Sequence, residues 1–276
     1  MDDWARIREA CTLLEDEAAL VLSKPVGISV VGERHDADLL SLARDAGERL
    51  LPVHRIDKVT SGAVLLAKLP SAHAELTRQF NRRSAGKVYL AVTGSRGLPE
   101  RGTIDLPLSV GRKNRVRVAA KREAIQSEEA GGRWSVPPAE VFTHTRTYPS
   151  LTTFVRVWEG RRRTLLAVQP VTGRRHQIRV HLAWIGHPVE GDPLFARPSA
   201  AGTFRAAGSS GGAVAAPVPT RTALHSWRLA FDAPWAGNAR IEVEASPGDD
   251  FWACLPTPPD VAPATLLDRA RAAVRA

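Results

Sequence analysis

A short polar segment from His54 to Gly62 lies directly before an apolar run and carries the side chains with the clearest capacity for chemistry. Its sequence is HRIDKVTSG, so that one aspartate, Asp57, is surrounded by two cations, a histidine and two hydroxyl groups. A carboxylate in such surroundings can act as a nucleophile or as a general base. The same residues also suit an ordinary polar loop, in which Asp57, Thr60 and Ser61 satisfy nearby backbone groups. On residue types alone, both interpretations stay open.

A second segment, residues 172–188, combines a helical pattern with arginine and histidine. The apolar residues at helical spacing are Ile178, Leu182 and Ile185, and the stop signals after them are Gly186 and Pro188. This spacing predicts that Arg175 and Arg179 lie together on another face of the helix. Two guanidinium groups can form a phosphate clamp or hold a buried carboxylate. A solvated basic face has the same pattern and is the alternative.

The histidines of these segments do not predict a metal site. His54 with Asp57, and His176 with His181, do not match the spacing of two histidines four apart with an intervening glutamate, and no carboxylate cluster accompanies them. The chain also lacks a glycine-rich phosphate loop that ends in Lys-Ser or Lys-Thr, so nucleotide hydrolysis has no support. We therefore expect neither a metal nor a nucleotide cofactor.

Composition narrows the class of protein. The 276 residues carry 38 Lys and Arg against 29 Asp and Glu, a formal charge of +9, with 43% hydrophobic residues. These values are ordinary for a globular chain and exclude a mainly disordered or collagen-like one. Cys11 and Cys254 are the only cysteines, no apolar stretch is long enough to span a membrane, and the first residues are acidic. We expect a cytoplasmic protein without a membrane partner.

The positive charge is concentrated in two blocks. Residues 82–122 hold eleven basic residues against two acidic ones, and residues 160–189 hold six arginines and no acidic residue. Each block alone is compatible with a solvated surface. Two blocks in one chain favour a polyanionic partner, and because no helix has a broad basic amphipathic face, RNA or DNA is preferred over a membrane.

Predicted strands and helices position these segments. Runs of apolar and β-branched residues predict strands over 20–22, 63–67, 88–92, 152–158 and 164–168. Asp36 is a candidate cap for a helix that reaches Leu50, and Ser71 is a candidate cap for a helix that ends at Gly86. Because the strands are irregularly spaced, we expect an α+β fold with a central mixed, mostly antiparallel sheet flanked by helices. Residues 123–140 and 196–219 are expected to be flexible insertions into a single domain spanning 1–276.

The segment from His54 to Gly62 closely resembles the HRLDxxTSG motif of the RluA family of pseudouridine synthases. Further segments resemble that family in the same order along the chain. They are Lys24–Val30 (KPxGxxV), Lys87–Ala91 (KxYxA), Gly173–Leu182 (GRxHQIRxHL), Gly186–Asp192 (GHPxxGD) and Leu224–Phe231 (LHAxxLxF). The resemblance spans roughly residues 13–251, and it implies the pseudouridine synthase catalytic fold and the isomerisation of uridine in ribosomal or transfer RNA.

The resemblance also implies roles for single residues. Asp57 falls on the catalytic aspartate, Arg55 on the arginine that takes part in extruding the target nucleotide, Tyr89 on the tyrosine against the target base, and Arg179 on the arginine that pairs with the aspartate. No redox step, metal or cofactor is required. Further RNA contacts are expected from His54, Lys58, Thr60, Arg82, Arg83, Lys87, Arg174, Arg175, His176 and Gln177.

Some features depart from the family pattern. Arg175 stands where threonine or serine is usual, and Phe195-Ala196 where tyrosine-glycine is usual. The segment before Lys24 is too short for the separate RNA-binding domain of many relatives, so we expect the catalytic domain, as a monomer, to grip the RNA itself. Two alternatives remain: an inactive RNA-binding or ribosome-assembly factor on the same fold, and a DNA-binding protein suggested by charge alone.

Overall fold

The computed structural model of the protein describes residues 3–32, 37–111, 115–128, 132–196, 221–255 and 261–275. Its first elements are α1 (Asp3–Cys11), β1 (Thr12–Glu15), β2 (Ala19–Lys24), α2 (Leu39–Asp45), β3 (Leu51–Pro52), β4 (Ser61–Ala67), α3 (Pro70–Arg82) and β5 (Gly86–Thr93). Next come β6 (Arg101–Asp105), β7 (Leu108–Val110), β8 (Val116–Val118), β9 (Gln126–Glu128), β10 (Arg133–Ser135), β11 (Thr147–Tyr148), β12 (Leu151–Glu159), β13 (Thr164–Pro170) and α4 (Gln177–Trp184). The last are β14 (Leu224–Ala233), β15 (Ala239–Glu244), α5 (Asp249–Trp252) and α6 (Pro263–Arg275).

The chain divides into two compact units. The first comprises residues 1–89 and 224–248. Its strands lie in the order β1-β2-β4-β14, with β3 paired to β4 and β15 to β14. All of these pairs are antiparallel except β14 with β4. Helix α3 packs Ala72 and Leu76 into a core with Leu65, Leu229 and Phe231, because its apolar residues recur at helical spacing.

The second unit comprises residues 90–223 and 249–276. Its main strands lie in the order β13-β12-β6-β10-β9, antiparallel except for β10 with β6. A separate three-stranded sheet has the order β11-β7-β8. Helix α4 packs against β8, β12 and β13, and α6 packs against β12 and β13. Mixed, mostly antiparallel sheets with helices in both units confirm the predicted α+β class.

Two helix boundaries differ from the prediction. Helix α2 is capped by Asp38, whose carboxylate accepts the Ser41 N–H, and it ends at Asp45, before Leu50. Asp36 lies outside the described residues. The predicted cap Ser71 is wrong, because α3 begins at Pro70 and its N-cap residue is Leu69, whose side chain forms no capping hydrogen bond. Pro70 suits the first turn, where its missing N–H costs nothing. The helix ends at Arg82, with Arg83 as its C-cap residue, and Gly86 instead begins β5.

The two expected insertions have different outcomes. Residues 123–140 contain β9 and β10, and β10 adds to the sheet by pairing with β6. Of residues 196–219, all but Ala196 lie outside the described part of the chain. Their flexibility, and the assignment of the whole chain to one catalytic domain, stay predictions.

Candidate active site

The Asp57 segment is a tight loop that leads into β4 in the first unit. The Thr60 N–H donates to the Asp57 carbonyl (2.9 Å), and the Gly27 N–H donates to the Lys58 carbonyl (2.8 Å). Every residue of β4 is buried, so the apolar strand anchors one end of the loop. Asp57 therefore lies, half-buried, where a constrained turn meets a fixed strand.

Gly62 lets β4 pair closely with β14. Its φ is +104°, and a Cβ added there would lie 2.2 Å from the Ser226 carbonyl oxygen. Beside it, the buried Ser61 hydroxyl bonds to His225 Nδ1 (2.7 Å), while His225 Nε2 faces the Ala245 carbonyl (2.8 Å). Because that carbonyl only accepts, Nε2 carries the proton and the serine donates to Nδ1. The Ser-Gly end of the motif is thus structural.

Tyr89 of β5 belongs to the same unit and is 9% exposed. The pKa of its phenol is raised to about 12, mainly by burial, which a hydrogen bond with Ser226 partly opposes and the Asp57 charge adds to. The phenol is therefore neutral at physiological pH. Asp57 is close enough to Tyr89 for its charge to affect this pKa, although burial has the larger effect.

His54 supports the loop from within. Its Nε2 accepts the Leu65 N–H of β4 (3.0 Å), and its ring stacks on Phe80 of α3 at 4.5 Å between centroids. Burial, helped by the Lys87 charge, lowers the pKa of His54 to about 3. The imidazole is neutral near pH 7 and is committed to protein contacts.

The basic residues of this unit differ in exposure. Arg55, Arg82 and Arg83 are exposed, whereas Lys58 and Lys87 are half-buried. Burial, with a contribution from the Arg83 charge, lowers the pKa of Lys87. The exposed arginines provide cations for an anionic partner, and Thr60, at 2% exposed, contributes to the loop rather than to this surface.

No individual role is predicted for Lys24, which the structure buries completely. Its ammonium group donates to the Pro25 carbonyl (2.7 Å) and to the Ile28 carbonyl (2.8 Å), and so holds the loop whose Gly27 bonds to Lys58. Lys-Pro-x-Gly before a turn was the available signal. Only the folded geometry shows that this lysine fixes backbone instead of facing solvent.

In the second unit, Arg179 of α4 forms a buried ion pair with Asp192. Its Nε donates to Asp192 Oδ2 (2.6 Å) and a terminal nitrogen donates to Oδ1 (2.9 Å), with the side chains 2% and 0% exposed. Asp192 also accepts the Leu194 and Phe195 N–H groups, and the Phe195 ring lies under the guanidinium at 5.2 Å. Burial alone would raise the pKa of Asp192, but Arg179 and the backbone donors outweigh it and lower that pKa.

Gln177 connects the start of α4 to the sheet. Its Oε1 accepts the Thr172 hydroxyl (2.6 Å) and the Arg174 N–H (3.0 Å), and its Nε2 donates to the Leu151 carbonyl and the Thr152 hydroxyl (both 2.9 Å). The residue is 3% exposed. Its amide is therefore occupied by protein contacts, which suits a supporting role.

The prediction that Arg175 and Arg179 lie on one face of the helix is wrong. Helix α4 begins only at Gln177, and His176 before it has a φ of +54°, which turns the chain away from the helical path. Arg175 is exposed in that turn, whereas Arg179 is buried inside the helix. Arg174 is exposed beside it, and His176 is half-buried with its ring 5.8 Å from that of Phe195.

Among the described residues, no three or more His, Cys, Asp or Glu side chains gather as a group that could hold a metal ion. Within the same residues, no helix has both the length and the apolar character needed to cross a membrane.

Comparisons with known proteins identify the family of this chain. The RNA pseudouridylate synthase family matches residues 18–184. A ribosomal large subunit pseudouridine synthase D of Nitrosomonas europaea is 32% identical over 86% of this chain, and the match spans 62% of that relative's length. A dual-specificity RNA pseudouridine synthase RluA of Vibrio vulnificus is 34% identical over 72% of each chain. The solved structure of human RNA pseudouridylate synthase domain containing 4 shares the fold, with a TM-score of 0.66 and 20% identity, over 97% of this chain and 95% of the human one.

The chain belongs to the RNA pseudouridylate synthase family, and the resemblance to the RluA type is confirmed. Its folded motifs fall into two groups, the Asp57 and Tyr89 set in the first unit and the Arg179 and Asp192 set in the second.

Proposed function

We propose that the protein isomerises uridine to pseudouridine in ribosomal or transfer RNA. Family membership supports this activity, and the relative from Nitrosomonas is named for the large ribosomal subunit. The observation that carries the proposal is the placement of Asp57, half-buried in a hydrogen-bonded turn directly before the fully buried strand β4.

The reaction moves uracil from an N1 to a C5 linkage with the ribose. The N1–C1′ bond breaks, the base rotates, a C5–C1′ bond forms, and the balance is one proton lost from C5 and one gained at N1. Asp57 acts either as the nucleophile at C1′ or as the base of an elimination through a glycal. Tyr89, neutral because its pKa is about 12, holds the detached base by stacking.

Two arginines have separate roles in this proposal, one in extruding the target nucleotide and one in orienting the catalytic aspartate. Arg55 is exposed, and its long side chain is suited to occupy the gap that a flipped nucleotide leaves in the RNA. Arg179 pairs with the catalytic aspartate in this proposal, and its bidentate contact with Asp192 supports the role by fixing the guanidinium plane. In this scheme Asp192 is a positioning residue.

The partner is RNA, bound through exposed cations. Arg82, Arg83, Arg174 and Arg175 are exposed and suit direct phosphate contacts, with Lys58, Lys87 and His176 contributing from half-buried positions. Thr60, Gln177 and His54 act indirectly, because their polar atoms hold the loops that carry the cations. We further propose that the protein acts in the cytoplasm as a monomer, without a metal or cofactor.

Replacing Asp57 tests the proposal. Cells that lack the gene are complemented with the wild type, Asp57→Asn or Asp45→Asn, and pseudouridine is mapped across their RNA. Asp45 is an exposed aspartate in the same unit and serves as the matched control. We expect a uridine that stays unmodified without the gene, is restored by the wild type and Asp45→Asn, and is not restored by Asp57→Asn. Restoration by Asp57→Asn would refute the mechanism, and no missing site in any RNA would refute the activity.

A further inference from the structure

Two exposed arginines lie over a single tyrosine in the second unit. The guanidinium carbons of Arg146 and Arg174 are 5.1 Å and 5.5 Å from the ring centroid of Tyr148. Arg146 directly precedes β11, which contains Tyr148, and Arg174 lies in the turn before α4. Tyr148 itself is half-buried. The three side chains therefore form one cationic and aromatic surface.

These arginines have a different environment from others in the unit. Arg221 faces Asp250 at 2.6 Å and Arg163 faces Glu190 at 3.2 Å, so their charges are compensated within the protein. In the described part of the chain, no carboxylate lies within ion-pair distance of Arg146 or Arg174. Two like charges around one ring repel each other, and an anion between or beside them offsets that repulsion. The arrangement thus favours an anionic ligand.

The surface is also held in place by the backbone. Arg174 donates its N–H to Gln177 Oε1 (3.0 Å), and Gln177 is bonded in turn to the Leu151 carbonyl (2.9 Å). Tyr148 pairs with Leu108 of β7, a buried residue. Because both backbones are fixed, little order has to be created when a ligand binds.

We propose that Arg146, Tyr148 and Arg174 bind an unpaired segment of RNA. The guanidinium N–H edges contact phosphate oxygens, and the guanidinium and phenol planes stack on an exposed base. RNA fits better than a purely anionic ligand, because it offers a planar base together with a phosphate. This inference rests on the proposed function, since RNA is the substrate there, and it adds Arg146 and Tyr148, which lie outside the family motifs.

The test measures binding of two fluorescein-labelled RNA oligomers by the full chain, using fluorescence anisotropy at one fixed salt concentration. One probe is oligouridylate of about ten nucleotides, and the other is an abasic oligomer of the same length and charge. We expect Tyr148→Ala to weaken binding of oligouridylate about fivefold to a hundredfold, which is the usual range for one stacked base. Binding of the abasic oligomer changes about twofold at most, and Tyr148→Phe binds both probes like the wild type.

The arginines are tested against a matched control. Arg146→Ala removes one exposed charge from the surface, and Arg161→Ala removes one from the exposed turn between β12 and β13. We expect Arg146→Ala to weaken binding of both oligomers clearly more than Arg161→Ala does. Equal effects of the two, or wild-type binding of oligouridylate by Tyr148→Ala, would overturn the inference.

Failure of this inference is distinguishable from failure of the proposed function. Wild-type protein that forms pseudouridine while Tyr148→Ala binds normally would refute only the docking surface. Wild-type protein that binds oligouridylate through Tyr148 but forms no pseudouridine would refute only the activity.

Discussion

The substitution Asp192→Asn removes the negative charge that faces Arg179 but keeps the shape of the side chain. In the folded protein, Asp192 Oδ1 accepts hydrogen bonds from Arg179, Leu194 and Phe195, and Oδ2 accepts one from Arg179 Nε. An asparagine of the same shape retains the three acceptor contacts at Oδ1. Its amide nitrogen replaces Oδ2, so two donors then face each other, and the negative charge of Asp192 beside the buried guanidinium is lost.

The expected loss of stability depends on how many of these hydrogen bonds the asparagine retains. Removing one partner of a buried ion pair costs about 3 to 5 kcal/mol, because the remaining charge loses a strong attraction away from water. Since three of four contacts survive, we expect the lower end, about 3 kcal/mol of the free energy of unfolding. With a urea dependence of about 3 kcal/mol per molar for a chain of this size, the midpoint falls by about 1 M.

The assay is urea unfolding at neutral pH, with Asp105→Asn as the control. Asp105 pairs with Arg133 at 2.9 Å in the same unit, but those side chains are 45% and 44% exposed, so the same substitution costs at most about 1 kcal/mol. Adding Arg179→Met to Asp192→Asn removes the guanidinium that faces the new amide group and restores part of the loss. Equal costs for Asp192→Asn and Asp105→Asn would refute the reasoning.

Acid conditions provide a second check on Asp192. Its pKa in the folded protein lies below the usual 3.8, so the stabilisation by its charge is fully present above that value and is lost as the pH falls through the folded pKa. The stability difference between the wild type and Asp192→Asn is therefore constant near neutrality and shrinks only in strong acid. A difference that already shrinks between pH 7 and pH 5 would assign the effect to another group.

Two further predictions concern the first unit. Gly62→Ala places a Cβ 2.2 Å from the Ser226 carbonyl oxygen, so we expect it to lower the free energy of unfolding in urea by several kcal/mol. The control Gly27→Ala, with a φ of +93° and open space around it, should cost only about 1 to 2 kcal/mol. Equal costs would contradict the close approach of β14. The His54 imidazole, with a pKa of about 3, should stay neutral throughout an NMR titration from pH 8 to pH 5, and protonation near pH 6 would show that the ring is not held as described.

The strands and the site segment were predictable because their signals are local. Buried apolar runs predict β4 and β5, and the recurrence of Ile178 and Leu182 predicts α4. Strands β9 and β10 were not predicted, since β9 is exposed at all three positions and has no apolar alternation. The turn at His176 was missed for a similar reason, because a positive φ in a non-glycine residue leaves little trace in the sequence.

The role of Asp192 could not be predicted, because its contact with Arg179 joins a helix to a loop 13 residues further along the chain. The family motif includes both residues, but neither spacing nor composition indicates that they bond to each other. Their pairing depends on how α4 packs, which is a property of the tertiary structure. The same holds for Lys24, whose partners are carbonyl groups that a sequence does not distinguish.

The polar residues of the motifs have different roles according to whether they are buried or exposed. A buried polar group is costly unless it is hydrogen-bonded, so the buried members, such as Gln177, His225 and Lys24, are bonded to other protein groups and shape the loops. Members with accessible surface, such as Arg55 and Arg174, have polar atoms that a substrate can reach. Asp57 lies between these extremes, fixed through its backbone and half-buried, as expected of a carboxylate that must be both oriented and accessible.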